Sequence, residues 1–126
     1  MGHNPFDILD NQPRNMGEAV HEENKSGTMS ERISRLISSS PIFLFMKGAP
    51  EMPQCGFSAN VVAILNSYGK SFKSFDILSD MDIRQGVKEY ANWPTYPQLW
   101  FKGQLVGGSD IITEMHQNGE LKTLLG

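Results

Sequence analysis

Ile42-Phe43-Leu44-Phe45-Met46-Lys47-Gly48-Ala49-Pro50-Glu51-Met52-Pro53-Gln54-Cys55-Gly56-Phe57-Ser58 is the stretch from which the fold can be read. Its first five residues are apolar at every position, which suits a strand buried on both faces. Lys47 to Gln54 holds two prolines and a glycine and reads as a loop. A helix follows, because Val61, Ile64, Leu65 and Tyr68 recur at i, i+3, i+4 and i+7, and Gly69 is a natural stop. The only cysteine of the chain, Cys55, stands where loop becomes helix.

Outward from this unit the signals alternate. Upstream, Ser30 can cap a short helix that places Met29, Ile33, Leu36 and Ile37 on one face. Downstream, Phe72 to Leu78 reads as a strand, and Ser79 or Asp80 can cap a helix with Ile83, Val87 and Tyr90 inward. Trp93-Pro94-Thr95-Tyr96-Pro97 must be irregular, since two prolines forbid helix and central strand. Leu99 to Phe101 and Leu105-Val106 form a hairpin about Lys102-Gly103-Gln104. After Gly107-Gly108, Ser109 or Asp110 caps a last helical region with Ile111, Ile112, Met115, Leu121, Leu124 and Leu125. The first two strands are joined by a helix and should be parallel with a right-handed crossover. The expectation is an α/β domain: a four-stranded mixed sheet flanked by helices.

The 126 residues suit one domain, with 39% hydrophobic and 20% charged residues. No apolar run approaches the roughly 18–20 residues of a membrane span. Formal net charge is −3, so no global attraction to nucleic acid or acidic membrane is expected. The excess lies in residues 1–28, where Asp7, Asp10, Glu18, Glu22 and Glu23 face only Arg14 and Lys25. That segment, polar and without period, reads as a disordered N-terminal extension, and residues 29–126 as the folded domain. A single cysteine forms no intrachain disulfide and fits a reducing compartment. Neither a secretory nor an Arg-rich presequence pattern is visible, so a cytoplasmic protein is expected.

A thiolate at Cys55 would face unpaired backbone N–H groups and the positive end of a helix dipole, which lowers a thiol pKa. The competing reading is a buried structural cysteine. Gly56 beside it permits close approach by another molecule, and Lys47 across the loop can supply positive charge. Lys47 and Arg84 read equally as solvated surface cations, and Ser109 and Asp110 as simple caps. Trp93 reads as wall or core packing. His3, His21 and His116 fit no metal-ligand spacing, and Gly107-Gly108 is too little for a nucleotide-binding fingerprint.

Cys55-Gly56-Phe57-Ser58 resembles the CGFS site of monothiol glutaredoxins. Met46-Lys47-Gly48, Trp93-Pro94-Thr95-Tyr96-Pro97 and Gly107-Gly108-Ser109-Asp110 resemble further blocks of that family, in family order, over residues 30–125. The resemblance implies a thioredoxin-like fold and a glutathione site built from Lys47, Cys55, Gly56, Phe57, Arg84, Thr95, Tyr96, Pro97, Gly108, Ser109 and Asp110. In it Lys47 binds the cysteinyl-glycine end and Arg84 the glycine carboxylate. A cis Tyr96–Pro97 bond presents the Tyr96 backbone to the peptide. The N–H groups of Ser109 and Asp110 hold the γ-glutamyl carboxylate, and the Asp110 side chain takes its amino group.

Ser58 stands where a dithiol enzyme has its second thiol, so release of a mixed disulfide needs a second glutathione. A [2Fe–2S] cluster usually takes four thiolates. The resemblance implies that two chains and two glutathiones supply them, with Cys55 the metal ligand of each chain in a cluster-bridged homodimer. Three readings stay open: a cluster carrier serving iron–sulfur recipient proteins, a glutathione-dependent oxidoreductase of at most weak monothiol activity, and a regulatory module sharing the cluster with a BolA-like protein.

Overall fold

The computed structural model describes residues 14–126. The central strand β2 (Ile42–Met46) is buried along its whole length. It lies between β5 (Phe72–Asp76), to which it is parallel, and β6 (Gln98–Phe101), to which it is antiparallel. β7 (Gln104–Gly107) continues the sheet beyond β6 through a two-residue turn in which Lys102 and Gly103 both have positive φ, the geometry that matches strand twist. Two residues each of β3 (Gly48–Ala49) and β4 (Met52–Pro53) pair separately inside the proline loop.

Because successive side chains of a strand point to opposite faces, β2 feeds two cores. Ile42, Leu44 and Met46 pack with Val61, Val62, Ile64 and Leu65 of α2 (Gly56–Ser67), Ile112 of α4 (Ser109–Asn118) and Leu121 and Leu125 of α5 (Glu120–Leu125). Phe43 and Phe45 pack with Ile33, Leu36 and Ile37 of α1 (Met29–Ser38) and Ile83 and Val87 of α3 (Met81–Ala91). Phe43, Phe45 and Phe75 meet edge to face, with centroids 5.0 and 6.4 Å apart. Among the described residues no helix is long and apolar enough to cross a membrane.

Two caps differ from the sequence expectation. Thr28, not Ser30, caps α1, because Glu31 three residues on can reciprocate in a capping box while Ile33 cannot. Gly108, rather than Ser109 or Asp110, is the N-cap of α4 and makes no side-chain capping bond. Asp80 caps α3 through the N–H groups of Asp82 and Ile83.

The larger difference is a fifth strand where four were expected. β1 (Gly17–Ala19) runs parallel to β5 along its outer edge, inside the segment read as a disordered extension. Its side chains carry no strand signal, since Gly, Glu and Ala are all poor strand formers. Backbone bonds hold it: Phe72 N–H donates to Met16 O at 3.1 Å and Val20 N–H to Ser74 O at 2.8 Å. Met16 packs on one core and Val20 on the other. The following turn is locked by Glu22, whose side chain is only 3% exposed and receives Arg32 Nη2–H at 2.6 Å and Nε–H at 3.1 Å. Arg32 also donates to Asp80 at 3.2 Å. The domain boundary expected at residue 29 therefore falls inside packed structure. The expectation for residues 1–13 lies outside the described residues.

Glu22→Ala leaves a largely buried Arg32 with Asp80 alone and should cost about 1–3 kcal/mol, read as a lower urea midpoint at unchanged m-value. An unchanged midpoint would show that the Glu22–Arg32 pair adds no stability. Burial pushes the Asp80 carboxyl up, but the Ile83 and Asp82 N–H groups, then Arg32 and Lys25, outweigh it and hold the carboxyl below its ordinary value. A depressed folded-state pKa stabilises above the unfolded-state value and loses that contribution as pH falls through the folded-state value. Acid unfolding of Asp80→Asn should therefore be less steep over that window.

Candidate functional site

The site forms where β2 ends. Gly48 turns the chain with φ +86°, and a Cβ there would come 2.6 Å from Met52 O, so only glycine fits. Gly48 N–H donates to Asp76 Oδ1 at 2.9 Å, an oxygen that also accepts Leu78 N–H at 2.9 Å. The loop is thus tied to the end of β5, and Gln54 N–H closes it on Lys47 O at 2.9 Å.

Cys55 is the N-cap of α2, in extended backbone with its Sγ accepting Ser58 N–H at 3.3 Å. Ser58 is fully buried, and its Oγ accepts Lys47 N–H at 3.1 Å and lies 3.3 Å from Cys55 Sγ. With the thiol protonated, S–H donates to Oγ; with the proton gone, the Ser58 O–H turns to the sulfur. Burial pushes the Cys55 thiol up. The Ser58 hydroxyl, the Ser58 and Phe57 N–H groups and the Lys47 charge together outweigh it, so the thiol lies below its ordinary value. Cys55 is half-buried and Gly56 exposed, with open space where a Gly56 Cβ would stand. The reading of Cys55 as a wholly buried packing residue does not hold.

A groove of about 440 Å³ lies alongside. Lys47 and Phe57 come from the start of the site, Arg84 and Lys88 from α3, Trp93, Pro94, Thr95 and Tyr96 from the irregular segment, and Gly108, Ser109, Asp110 and Ile111 from the start of α4. Eight residues expected from the sequence are thus brought to one groove: Lys47, Phe57, Arg84, Thr95, Tyr96, Gly108, Ser109 and Asp110. Cys55, Gly56 and Pro97 are not on its lining. Cys55 opens the helix that carries Phe57, and Pro97 is buried behind the rim, with its carbonyl 3.3 Å from where a Gly108 Cβ would stand. The Tyr96–Pro97 bond is cis.

The groove is cationic. Lys47, Arg84 and Lys88 line it against one acid, Asp110. Gly108 caps α4 without a side-chain bond, so the first N–H groups of that helix face the groove end as donors for an anion. Asn60 Nδ2 donates to Ser109 Oγ at 3.1 Å and Thr113 Oγ1 at 2.8 Å, fastening the start of α4 to α2. Trp93 forms part of the wall, its Nε1 buried without a hydrogen-bond partner among the described residues. Lys88 escaped the sequence reading, although its spacing of four from Arg84 puts it on the same helix face. Asp76 and Asn60 carried no local signal. His116 pairs with the Tyr68 hydroxyl at 2.6 Å, His21 does not line the groove, and His3 lies outside the described residues. Among the described residues no three His, Cys, Asp or Glu side chains gather as a metal-binding set.

Ser58→Ala removes the hydroxyl that serves both the sulfur and the Lys47 amide. The midpoint of Cys55 alkylation rate against pH should move up, and stability should fall by about 1–3 kcal/mol as the amide loses its acceptor. An unmoved alkylation midpoint would show that the hydroxyl does not stabilise the thiolate.

The glutaredoxin family model matches residues 42–106. Monothiol glutaredoxin-S11 of Oryza sativa subsp. japonica is 55% identical over 94 residues, which are 75% of this chain and 19% of that protein. Glutaredoxin 4 of Escherichia coli K12 is 53% identical over 98 residues, 78% of this chain and 85% of that protein. The chain thus spans about a fifth of the rice protein but most of the bacterial one. The solution structure of reduced poplar apo GrxS14 matches with a TM-score of 0.69 and 43% identity, covering 77% of this chain and 89% of that one. With a thioredoxin-like fold, a lone thiol at the head of α2 and these relatives, the chain belongs to the glutaredoxin family, in its monothiol branch.

Proposed function

We propose that the groove binds glutathione and that Cys55, together with that glutathione, carries a [2Fe–2S] cluster as cargo between iron–sulfur proteins. The observation that supports this best is one half-exposed, thiolate-favouring sulfur beside a groove with three cations and an N-terminal helix end. Glutathione bears two carboxylates at opposite ends of a short peptide. In this reading Arg84, with Lys88 beside it, takes the glycine carboxylate, and Lys47 takes the cysteinyl-glycine end. The Thr95–Tyr96 backbone runs beside the peptide like an added strand. The N–H groups of Ser109 and Asp110 hold the γ-glutamyl carboxylate, and the Asp110 carboxylate takes the amino group.

The ligand count then favours a carrier. The chain has one cysteine, and a [2Fe–2S] cluster usually takes four sulfur ligands. Two chains with two glutathiones complete the set, in a homodimer that exists while the cargo is bound. Half of the ligands are held by the groove alone, so the cargo is released when glutathione leaves. The same half-exposed sulfur suits sharing with a BolA-like partner. A reducing compartment keeps Cys55 available, and we place the protein in the cytoplasm.

The lowered thiol pKa also favours a second activity. The Cys55 thiolate attacks the glutathione sulfur of a glutathionylated protein and expels that protein's thiolate. A second glutathione thiolate then attacks the Cys55 mixed disulfide, giving oxidised glutathione and free Cys55. Without a second protein thiol, this turnover depends on the glutathione concentration and is expected to be weak.

Anaerobic incubation with iron, sulfide and glutathione should yield a coloured dimer that bleaches and dissociates when glutathione is removed. Cys55→Ser should yield none. A cluster on Cys55→Ser, or no cluster on the wild type, would refute the carrier reading. Deglutathionylation as fast as that of a dithiol enzyme would put the oxidoreductase reading first.

A further inference from the structure

Tyr96 has two separable parts. It lines the groove beside Thr95, while its ring is buried in the core that holds Ile83 and Val87 of α3. The hydroxyl donates to the Arg84 carbonyl at 2.6 Å. Burial pushes this hydroxyl far above its ordinary pKa, against the opposing and smaller effect of the nearby Arg84 charge, so it remains a donor throughout the working range. Arg84 lies well inside α3, where a carbonyl already has a helical donor four residues on. The bond from Tyr96 is therefore not needed to satisfy that oxygen. What it does is join two walls of the groove: the irregular segment on one side and the Arg84–Lys88 face of α3 on the other.

The rest of the irregular segment is anchored elsewhere. Fully buried Gln98 donates from Nε2 to the carbonyls of Trp93 at 3.2 Å and Thr95 at 3.3 Å, and Trp100 Nε1–H donates to Gln98 Oε1 at 3.3 Å. β6 thus fixes the height of the rim, and the hydroxyl of Tyr96 fixes its distance from Arg84.

We propose that Tyr96 is a positioning residue for the glycine carboxylate of glutathione, its hydroxyl setting the place of Arg84 relative to the Thr95–Tyr96 rim. The proposal rests on the reading of the groove as a glutathione site and assigns to one side-chain oxygen a role the backbone contacts of Tyr96 do not fill. A phenylalanine at this position keeps the rim backbone and the ring packing but releases the α3 wall. The loss is confined to ligands that bear the glycine carboxylate.

The test is an NMR titration of the reduced full chain and of Tyr96→Phe with glutathione and with γ-glutamylcysteine, which lacks the glycine. Glutathione should bind Tyr96→Phe about 3- to 10-fold more weakly, the range of one lost neutral hydrogen bond. γ-Glutamylcysteine should bind both chains alike. Arg84→Ala should weaken glutathione binding, and adding Tyr96→Phe to it should change little, because the two act through one contact. The pH midpoint of Cys55 alkylation should not move. Equal weakening of both ligands would mark a general folding defect and overturn the proposal, as would unchanged glutathione binding by Tyr96→Phe. If the wild type binds neither ligand, the glutathione reading of the groove fails and this proposal with it. If the wild type binds and Arg84→Ala weakens it while Tyr96→Phe does not, this proposal alone fails.

Discussion

β2 has no solvent side. A strand with neighbours on both edges and helices on both faces favours apolar side chains, because a polar one without a partner would be buried away from water. Ile42, Leu44 and Met46 commit one face to α2, α4 and α5, and Phe43 and Phe45 commit the other to α1 and α3. Once that strand is placed, its end is placed too. Lys47 leaves the sheet at the end of its central strand, Gly48 turns back, and Cys55 stands at the head of a helix held by the core beneath it. The strand that precedes the site is buried at every position, and the helix that follows it sends Val61, Val62, Ile64 and Leu65 into the same core.

One hydroxyl links that core to the chemistry. Ser58 is buried, so its oxygen must be satisfied within the protein. It meets the Lys47 amide on one side and the Cys55 sulfur on the other. The residue that denies the chain a second thiol is thus also the residue that stabilises the first. A cysteine at this position would trade a good hydrogen-bonding oxygen for a redox partner. Serine leaves Cys55 a thiol that favours the thiolate and has no intramolecular route to a disulfide.

Residues 14–28 add a layer that the family model does not cover, since it matches residues 42–106. β1 covers the outer edge of β5, and a Cβ on Gly17 would stand 2.8 Å from Pro50 of the site loop. The Glu22–Arg32–Asp80 cluster joins the turn after β1 to the cap of α3. The segment therefore touches both the loop that carries Lys47 and the helix that carries Arg84. An edge strand of weak intrinsic preference can do this because backbone ladder bonds need no particular side chain, only an open neighbouring edge.

Four strands and the core helices were legible because burial writes a period into the chain: every residue for β2, and 3.6 residues for α2 and α3. The position of Cys55 at a helix start was legible because proline, glycine and the apolar stripe bracket it within a dozen residues. The resemblance over residues 30–125 pointed to eight of the twelve residues that line the groove, and not to Lys88. None of these local signals marks β1, whose partner edge lies more than fifty residues away, or the glycine cap of α4. They also do not reveal that Ser58 bridges Lys47 and Cys55, or that the Tyr96 hydroxyl reaches Arg84. The sequence alone determined which faces must be buried, because burial is a property each residue declares for itself. Only the tertiary structure decided which polar atoms meet, because a hydrogen bond depends on the folded positions of two groups at once.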